Sequence, residues 1–453
     1  MRVIKQPILL LLLTMGFVAV HQVSMGQNPE SMSVSLEEAI DYALENNQQV
    51  KNARLEEEIA DKQVGEILAD GLPQVNANAS LMHNYKIQQT IVESSNGFPP
   101  GVPDGEAVAL EFGIPYTSGF DFGLTQMVFD GSFFIGLEAA KTFTQLSRKD
   151  HIKTKIDIAE AVSKAYFGVL VNVERLALVE RNYSRLDSLL QETEVMYQNG
   201  FAEKIDVNRV KVQFNNVKVE KDNYQQIVDL SESILKFQMG LKPNTPLILT
   251  TEIQTIDYFN FETIKDFTYE QRIEYSQMNI RKELKQLDIK NVRAKYYPKI
   301  DLVANYGRNT GNTSLDAVFS DDWFGNGAIG LRASVPIFDG MRKRRQVQQR
   351  QLQAQQIDYS LNLLENNIDV EIEQALTSYN RQIEMMQAQR ENMELSQEVY
   401  EVAKIKYNEG VGSNIEVIDA DATFKQAQIN YYNALYDALI SKIDLQKAYG
   451  ILL

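Results

Sequence analysis

No cysteine occurs anywhere in the 453 residues, which excludes a disulfide framework, thiol chemistry and lipid attachment through an N-terminal cysteine. Histidine is nearly absent. Of the three present, His21 falls in an apolar leader, and His83 and His151 lie far apart, leaving little from which to build a His-based metal site or a Ser-His-Asp triad. No motif for carboxylate-only catalysis takes their place, so neither an enzyme nor a bound metal or cofactor is expected. Basic residues are in the minority: 45 Lys+Arg against 61 Asp+Glu give a net charge of -16. Losing Arg2 and Lys5 with the leader takes the rest of the chain to about -18. So acidic a chain is a poor binder of phosphate backbones, and no nucleic-acid partner is expected.

Helix breakers are missing over long intervals. No proline lies between Pro115 and Pro243 or after Pro336. Gly168 alone interrupts the stretch from Gly136 to Gly200, and no glycine falls between Gly200 and Gly240, Gly340 and Gly410, or Gly412 and Gly450. Within the first interval Ile152, Ile156, Ala159, Val162, Tyr166, Val169, Val173, Leu176, Val179, Tyr183, Leu186 and Leu190 recur about every 3.5 residues, the period of a coiled-coil seam. Ile357, Leu361, Leu364, Ile368, Ile372, Leu376, Tyr379, Ile383 and Met386 repeat the pattern. Each interval predicts helix. A helix from Gly340 to Gly410 would be about 100 Å long at 1.5 Å per residue, more than a globular core needs.

What is present includes a leader, M-R-V-I-K-Q-P-I-L-L-L-L-L, whose apolar run ends near Ser24 and Gly26, as in a secretory signal peptide over residues 1–26. Four segments alternate with period two: Q-V-N-A-N-A-S-L from Gln74, F-D-F-G-L-T-Q-M-V-F from Phe120, K-I-D-L-V-A-N-Y from Lys299, and I-G-L-R-A-S-V-P-I from Ile329. Segments of this length and period suit strands spanning an outer membrane, or strands of a small soluble sheet. Aromatic residues at their loops (Tyr85, Phe112, Tyr116, Phe319, Trp323, Phe324) suit a membrane interface or are ordinary loop aromatics.

The pattern is written twice. V-M-Y-Q-N-G-F-A-E-K-I-D-V at Val195 returns as I-K-Y-N-E-G-V-G-S-N-I-E-V at Ile405, F-D-G at Phe129 returns at Phe338, and Gly240 returns as Gly450. The reading is a first repeat over 27–240 (helix, strand 74–92, strand 117–129, long helix 132–199, helix 203–240) and a connector over 241–268. A second repeat over 269–453 follows (helix, strand 299–310, strand 328–338, long helix 341–409, helix 413–450). Four strands cannot close a barrel, and open edges in hydrocarbon would leave backbone groups unpaired, so the chain is expected to oligomerise. Two copies would make a barrel filled by its own side chains, and three would make one wide enough to conduct.

The stretch from Tyr407 to Gly450, with L-R-A-S-V-P-I-F-D-G before it and S-L-E-E-A-I-D-Y-A-L-E-N-N from Ser35, resembles the TolC family of outer-membrane efflux proteins over essentially the whole mature chain. The resemblance implies an α+β membrane protein, a homotrimer in which a long α-helical coiled-coil barrel continues a twelve-stranded β-barrel, four strands per chain, with an internal two-fold repeat. It also implies an exit duct in the cell outer membrane, set among outer-membrane lipids and extending into the periplasm. The duct would dock on a periplasmic adaptor (membrane fusion) protein and an inner-membrane pump of the RND or ABC type. A periplasmic coiled-coil adaptor would explain the helices without the strands; a simple porin would explain only the strands.

By the same resemblance the helix tips at Gly200, Phe201, Gly410, Val411 and Gly412 contact the adaptor. Glu416 and Asp419 match acidic rings that narrow the periplasmic entrance, Asp206 matches a carboxylate that ties neighbouring helices, and Tyr407 matches its partner. Gly412 departs from the family, whose best-known members place an arginine there. From the residues alone, Ser413 and Glu416 equally fit an S-x-x-E capping box. The basic run M-R-K-R-R at Met341 fits either lipid headgroups of the inner leaflet or a solvated helix start.

Overall fold

The computed structural model describes residues 32–253, 266–320 and 322–453. The expected leader at 1–26 and part of the expected connector lie outside them. The chain runs β1 (Met32–Val34), α1 (Leu36–Asn46), α2 (Gln48–Asp70), β2 (Gln74–His83), β3 (Gln89–Glu93), β4 (Ala107–Glu111), β5 (Tyr116–Phe129), α3 (Gly131–Gln198) and α4 (Lys204–Met239). It continues with β6 (Leu247–Leu249), a 3-10 turn, α5 (Ile273–Ala294), β7 (Lys299–Asn312), α6 (Leu315–Ser320), β8 (Phe324–Ser334), α7 (Arg342–Asn408) and α8 (Asn414–Tyr449).

The breaker-free intervals are unbroken helices of 68 residues in α3 and 67 in α7. Each starts at an F-D-G aspartate. Asp130 accepts from Ser132 N at 2.8 Å, and Asp339 accepts from Lys343 N at 3.1 Å while pairing with its ammonium at 2.8 Å. That pairing buries Lys343 of the basic run and leaves Arg342, Arg344 and Arg345 exposed. Each helix ends in the same left-handed reversal. Phe201 N reaches Met196 O at 2.8 Å and Val411 N reaches Lys406 O at 3.0 Å, with Gly200 at φ +80° and Gly410 at φ +76°.

The seam residues of α7 pack inward, with Ile368, Tyr379 and Met386 fully covered. On α3 the period-3.5 stripe is only part of the core. Ile158, Phe167, Leu170, Val171 and Leu178 are buried as well, whereas Ile152 and Val173 are exposed. The reason is that α3 packs against α1, α2, α4, α5 and α8, so more than one of its faces is covered. The main core lies at this crossing, around Tyr166, whose hydroxyl is hydrogen-bonded to Val34 O at 3.2 Å, which accepts, and to the Thr251 hydroxyl at 2.8 Å.

Strands β2, β5, β7 and β8 form one antiparallel sheet in that order. The strand expected over 74–92 stops at His83, because the chain leaves the sheet at Asn84 and pairs β3 with β4 in a separate hairpin. The strand expected over 328–338 begins earlier, at Phe324, and ends at Ser334. Pro336 has no N–H to give the ladder. The edges β2 and β8 are exposed on both faces.

Candidate functional site

Residues opposite one another in antiparallel strands share a face. The register places Asn76, Asn78, Asp121, Asn305, Asn326 and Arg332 on one side of the sheet, where Asn78 Nδ2 donates to Asp121 Oδ2 at 3.0 Å. The other side carries Val75, Leu81, Phe122, Leu124, Tyr306, Ile329 and Leu331. Ile329 and Leu331 are 76% and 71% exposed, a row of apolar groups that suits hydrocarbon better than water. Among the described residues no helix is long and apolar enough to cross a membrane.

At the opposite end lie the residues expected at a gate. Ser413 Oγ accepts from Glu416 N at 3.3 Å, but the Glu416 carboxylate does not close the reciprocal half of a capping box. It stands exposed with Asp419, one turn on, along a groove of about 770 Å³ between α7 and α8 shared with Glu398, Val399, Val402 and Lys406. Asp206 caps its own helix: it accepts from Glu203 N at 3.2 Å and pairs with Arg209 at 3.3 Å. Within the chain Tyr407 meets other partners, its hydroxyl donating to Met196 Sδ on α3 and accepting from Asn414 Nδ2 on α8, each at 3.5 Å. A Cβ at Gly412 would come within 3.0 Å of Lys406 Cβ and Tyr407 N, so this tip is packed too closely for any larger residue, arginine included, without movement. Phe201 and Val411 project from the two tips, 84% and 80% exposed.

A third feature escaped the sequence reading. Helices α3 and α8 run antiparallel along a polar seam: Lys447 to Asp157 and Glu160, Lys164 to Asp444, Arg175 to Asn433, and Arg185 to Asp421 at 2.7 Å. Arg185 also lies 4.9 Å over the Tyr400 ring of α7 and 5.5 Å from the Phe424 ring of α8. Burial pushes the Asp421 carboxyl above its ordinary range, while Arg185 opposes the shift. A cavity of about 310 Å³ beside the pair is lined by α3, α4, α7 and α8, and across it Lys425 pairs with Glu220. The available signal was one acid on the packed stripe formed by Val417, Asp421, Phe424 and Gln428.

A sheet with one polar and one apolar face, open at both edges and continued by helices about 100 Å long, belongs to the class of proteins that line a passage through a membrane and beyond it. The chain belongs to the outer membrane efflux protein family, whose profile matches residues 39–240 and 270–451. It is 20% identical over 424 residues to outer membrane protein TolC of Vibrio cholerae, spanning 92% of this chain and 91% of that protein. Its fold matches the crystal structure of CusC with a TM-score of 0.72 at 17% identity, over 94% of this chain and 95% of that one. It also matches the open-state MtrE outer membrane channel of Neisseria gonorrhoeae, at 0.70 and 18%, over 92% and 88%. The protein is thus an exit duct for efflux in the outer membrane, and the relatives it resembles are channel proteins.

Proposed function

We propose that three copies of this chain join edge to edge, β8 of one against β2 of the next, into a twelve-stranded barrel, with the helical hairpins forming a tunnel below it. The observation that carries this reading is the open sheet with one polar and one apolar face. An unpaired backbone group in hydrocarbon costs several kcal/mol, and only closure removes the edges. Eight strands would leave a lumen filled by side chains, whereas twelve begin to conduct. The two halves, 27–240 and 269–453, act as repeats around the tunnel. The exposed Phe201 and Val411, with Gly200, Gly410 and Gly412 shaping their turns, seat a periplasmic adaptor linked to an inner-membrane pump. The native mass of the detergent-purified protein should be that of a trimer. A species that stays monomeric and soluble without detergent would end the proposal.

In this assembly Glu416 and Asp419 repeat around the entrance as carboxylate rings, and Tyr407, reaching from α7 to Met196 of α3, helps hold it narrow. Asp206 stands at the start of the neighbouring hairpin's second helix. Reversal potentials under a salt gradient should show cation preference, reduced several-fold in Glu416→Ala/Asp419→Ala together with weaker divalent block. Tyr407→Phe should raise single-channel conductance. A double variant with unchanged selectivity and block would reduce these acids to helix-start residues.

A further inference from the structure

The apolar side of the sheet carries one formal charge. Of the lysines, arginines, aspartates and glutamates in its four strands, Asp121, Lys299, Asp301 and Arg332 fall on the polar face, and Arg308 alone falls on the apolar one, opposite Phe120 and Gly325. Among the described residues it has no ion-pair partner, and it is exposed.

Its height on the wall follows from the pattern. The apolar residues occupy 75–81 on β2, 120–124 on β5, 300–306 on β7 and 329–333 on β8. Each run is displaced from the last, as expected for strands inclined to the membrane normal. The first residue of this face above the run is His83 on β2, stacked on Tyr116 at 4.3 Å, and Arg308 on β7. Trp323 precedes β8 and lies 5.6 Å from Phe120, which in turn lies 6.2 Å from Phe122. Arg308 therefore stands at the outer rim of the apolar band, among the aromatic residues that mark the boundary between hydrocarbon and headgroups. Beside it β8 offers Gly325, where the one heavy atom near an added Cβ would be Arg308 Nε at 3.9 Å, so the missing side chain leaves a notch beside the guanidinium.

We propose that this notch binds the phosphate of an outer-leaflet lipid headgroup, with the Arg308 guanidinium donating a forked pair of hydrogen bonds to it and Trp323 and Phe120 packing on the lipid's first apolar atoms. A planar guanidinium matches phosphate oxygens in a way that an ammonium does not. The proposal rests on the barrel reading, because only that reading turns this face to lipid.

Trp323 is the only tryptophan in the chain and reports on the site directly. The full-length protein would be placed in phosphatidylcholine vesicles containing bromine-labelled lipid, and its detergent-solubilised form titrated with lipid A, a phosphorylated glucosamine lipid, under native mass spectrometry. Trp323 should be quenched in wild type and in Arg308→Gln alike. Wild type should retain lipid A, Arg308→Gln roughly tenfold more weakly, Arg308→Lys in between, and Arg332→Gln on the opposite face as wild type does. Dephosphorylated lipid A should lose the difference, and free inorganic phosphate should not displace the lipid. Equal retention by wild type and Arg308→Gln, or displacement by free phosphate, overturns the headgroup site while leaving the barrel intact. Absence of quenching in both proteins overturns the barrel reading itself.

Discussion

Replacing Asp421 by alanine is expected to cost about 3–5 kcal/mol of stability, the usual result of leaving one member of a covered ion pair alone. The Asp421 side chain is 11% exposed and that of Arg185 25%, so the pair is largely withdrawn from bulk solvent. The aromatic rings of Tyr400 and Phe424 hold the guanidinium in place without neutralising it. Removing both charges, as in Arg185→Met/Asp421→Leu, should cost much less than Asp421→Ala alone, and chemical denaturation of the three variants checks this. The pH dependence has a definite sign. Burial raises the folded Asp421 carboxyl above 3.8, the unfolded value. Its proton therefore contributes stability that is fully present below 3.8 and is lost as pH rises through the folded value. Relative to Asp421→Asn, wild type should gain stability as pH falls across that window.

The second large effect lies at the ends of α4 and α8. Gly450→Ala is expected to cost about 3 kcal/mol or more. The residue sits at φ +71°, and an added Cβ would meet the Gln271 carbonyl oxygen at 2.5 Å. Gly240→Ala should behave alike, since it has φ +77° and the Asn46 carbonyl oxygen at 2.7 Å. Gly410→Ala supplies the comparison: with φ +76° but open space around it, it pays only the left-handed backbone cost of about 1–2 kcal/mol. Thermal unfolding should therefore rank Gly450→Ala and Gly240→Ala together, well below Gly410→Ala. Equal losses at all three would mean that the close approach to Gln271 and Asn46 is relieved by backbone movement.

The helices were legible because their boundaries are chemical: an F-D-G start, an interval free of breakers, and a glycine able to turn left-handed at Gly200 or Gly410. The α7 stripe from Ile357 to Met386 was legible because that helix packs on one main side. The α3 stripe was only half legible, since a helix covered by five neighbours no longer separates inside from outside by period. The hairpin of β3 and β4 was hidden because Q-T-I-V-E follows β2 after so short a break that the alternation runs together. Its partner A-V-A-L-E alternates too weakly to stand out. At the helix ends, three-residue spacing drew attention to Glu416 and Asp419. Asp421 was missed because spacing along one helix says nothing of what α3 brings opposite; Arg185 lies more than two hundred positions earlier in the chain.

That distance bears on the order in which the molecule can be made. The ties of the α3–α8 seam join residues 287 and 290 positions apart, and Lys425 reaches Glu220 across 205. Contacts so remote close late, because the loop between them must be ordered before they form. A chain emerging N-terminus first completes α3, with Gly168 on the flank that Tyr436 of α8 later packs against, before any of α8 exists. Until the last residues arrive, the first half is a long helical hairpin whose α8-facing flank is uncovered, and it depends on being kept from its own kind. The polar ties suit this interval: Asp157, Glu160 and Lys164 can remain hydrated while they wait, so the seam selects its register at the final step rather than aggregating before it.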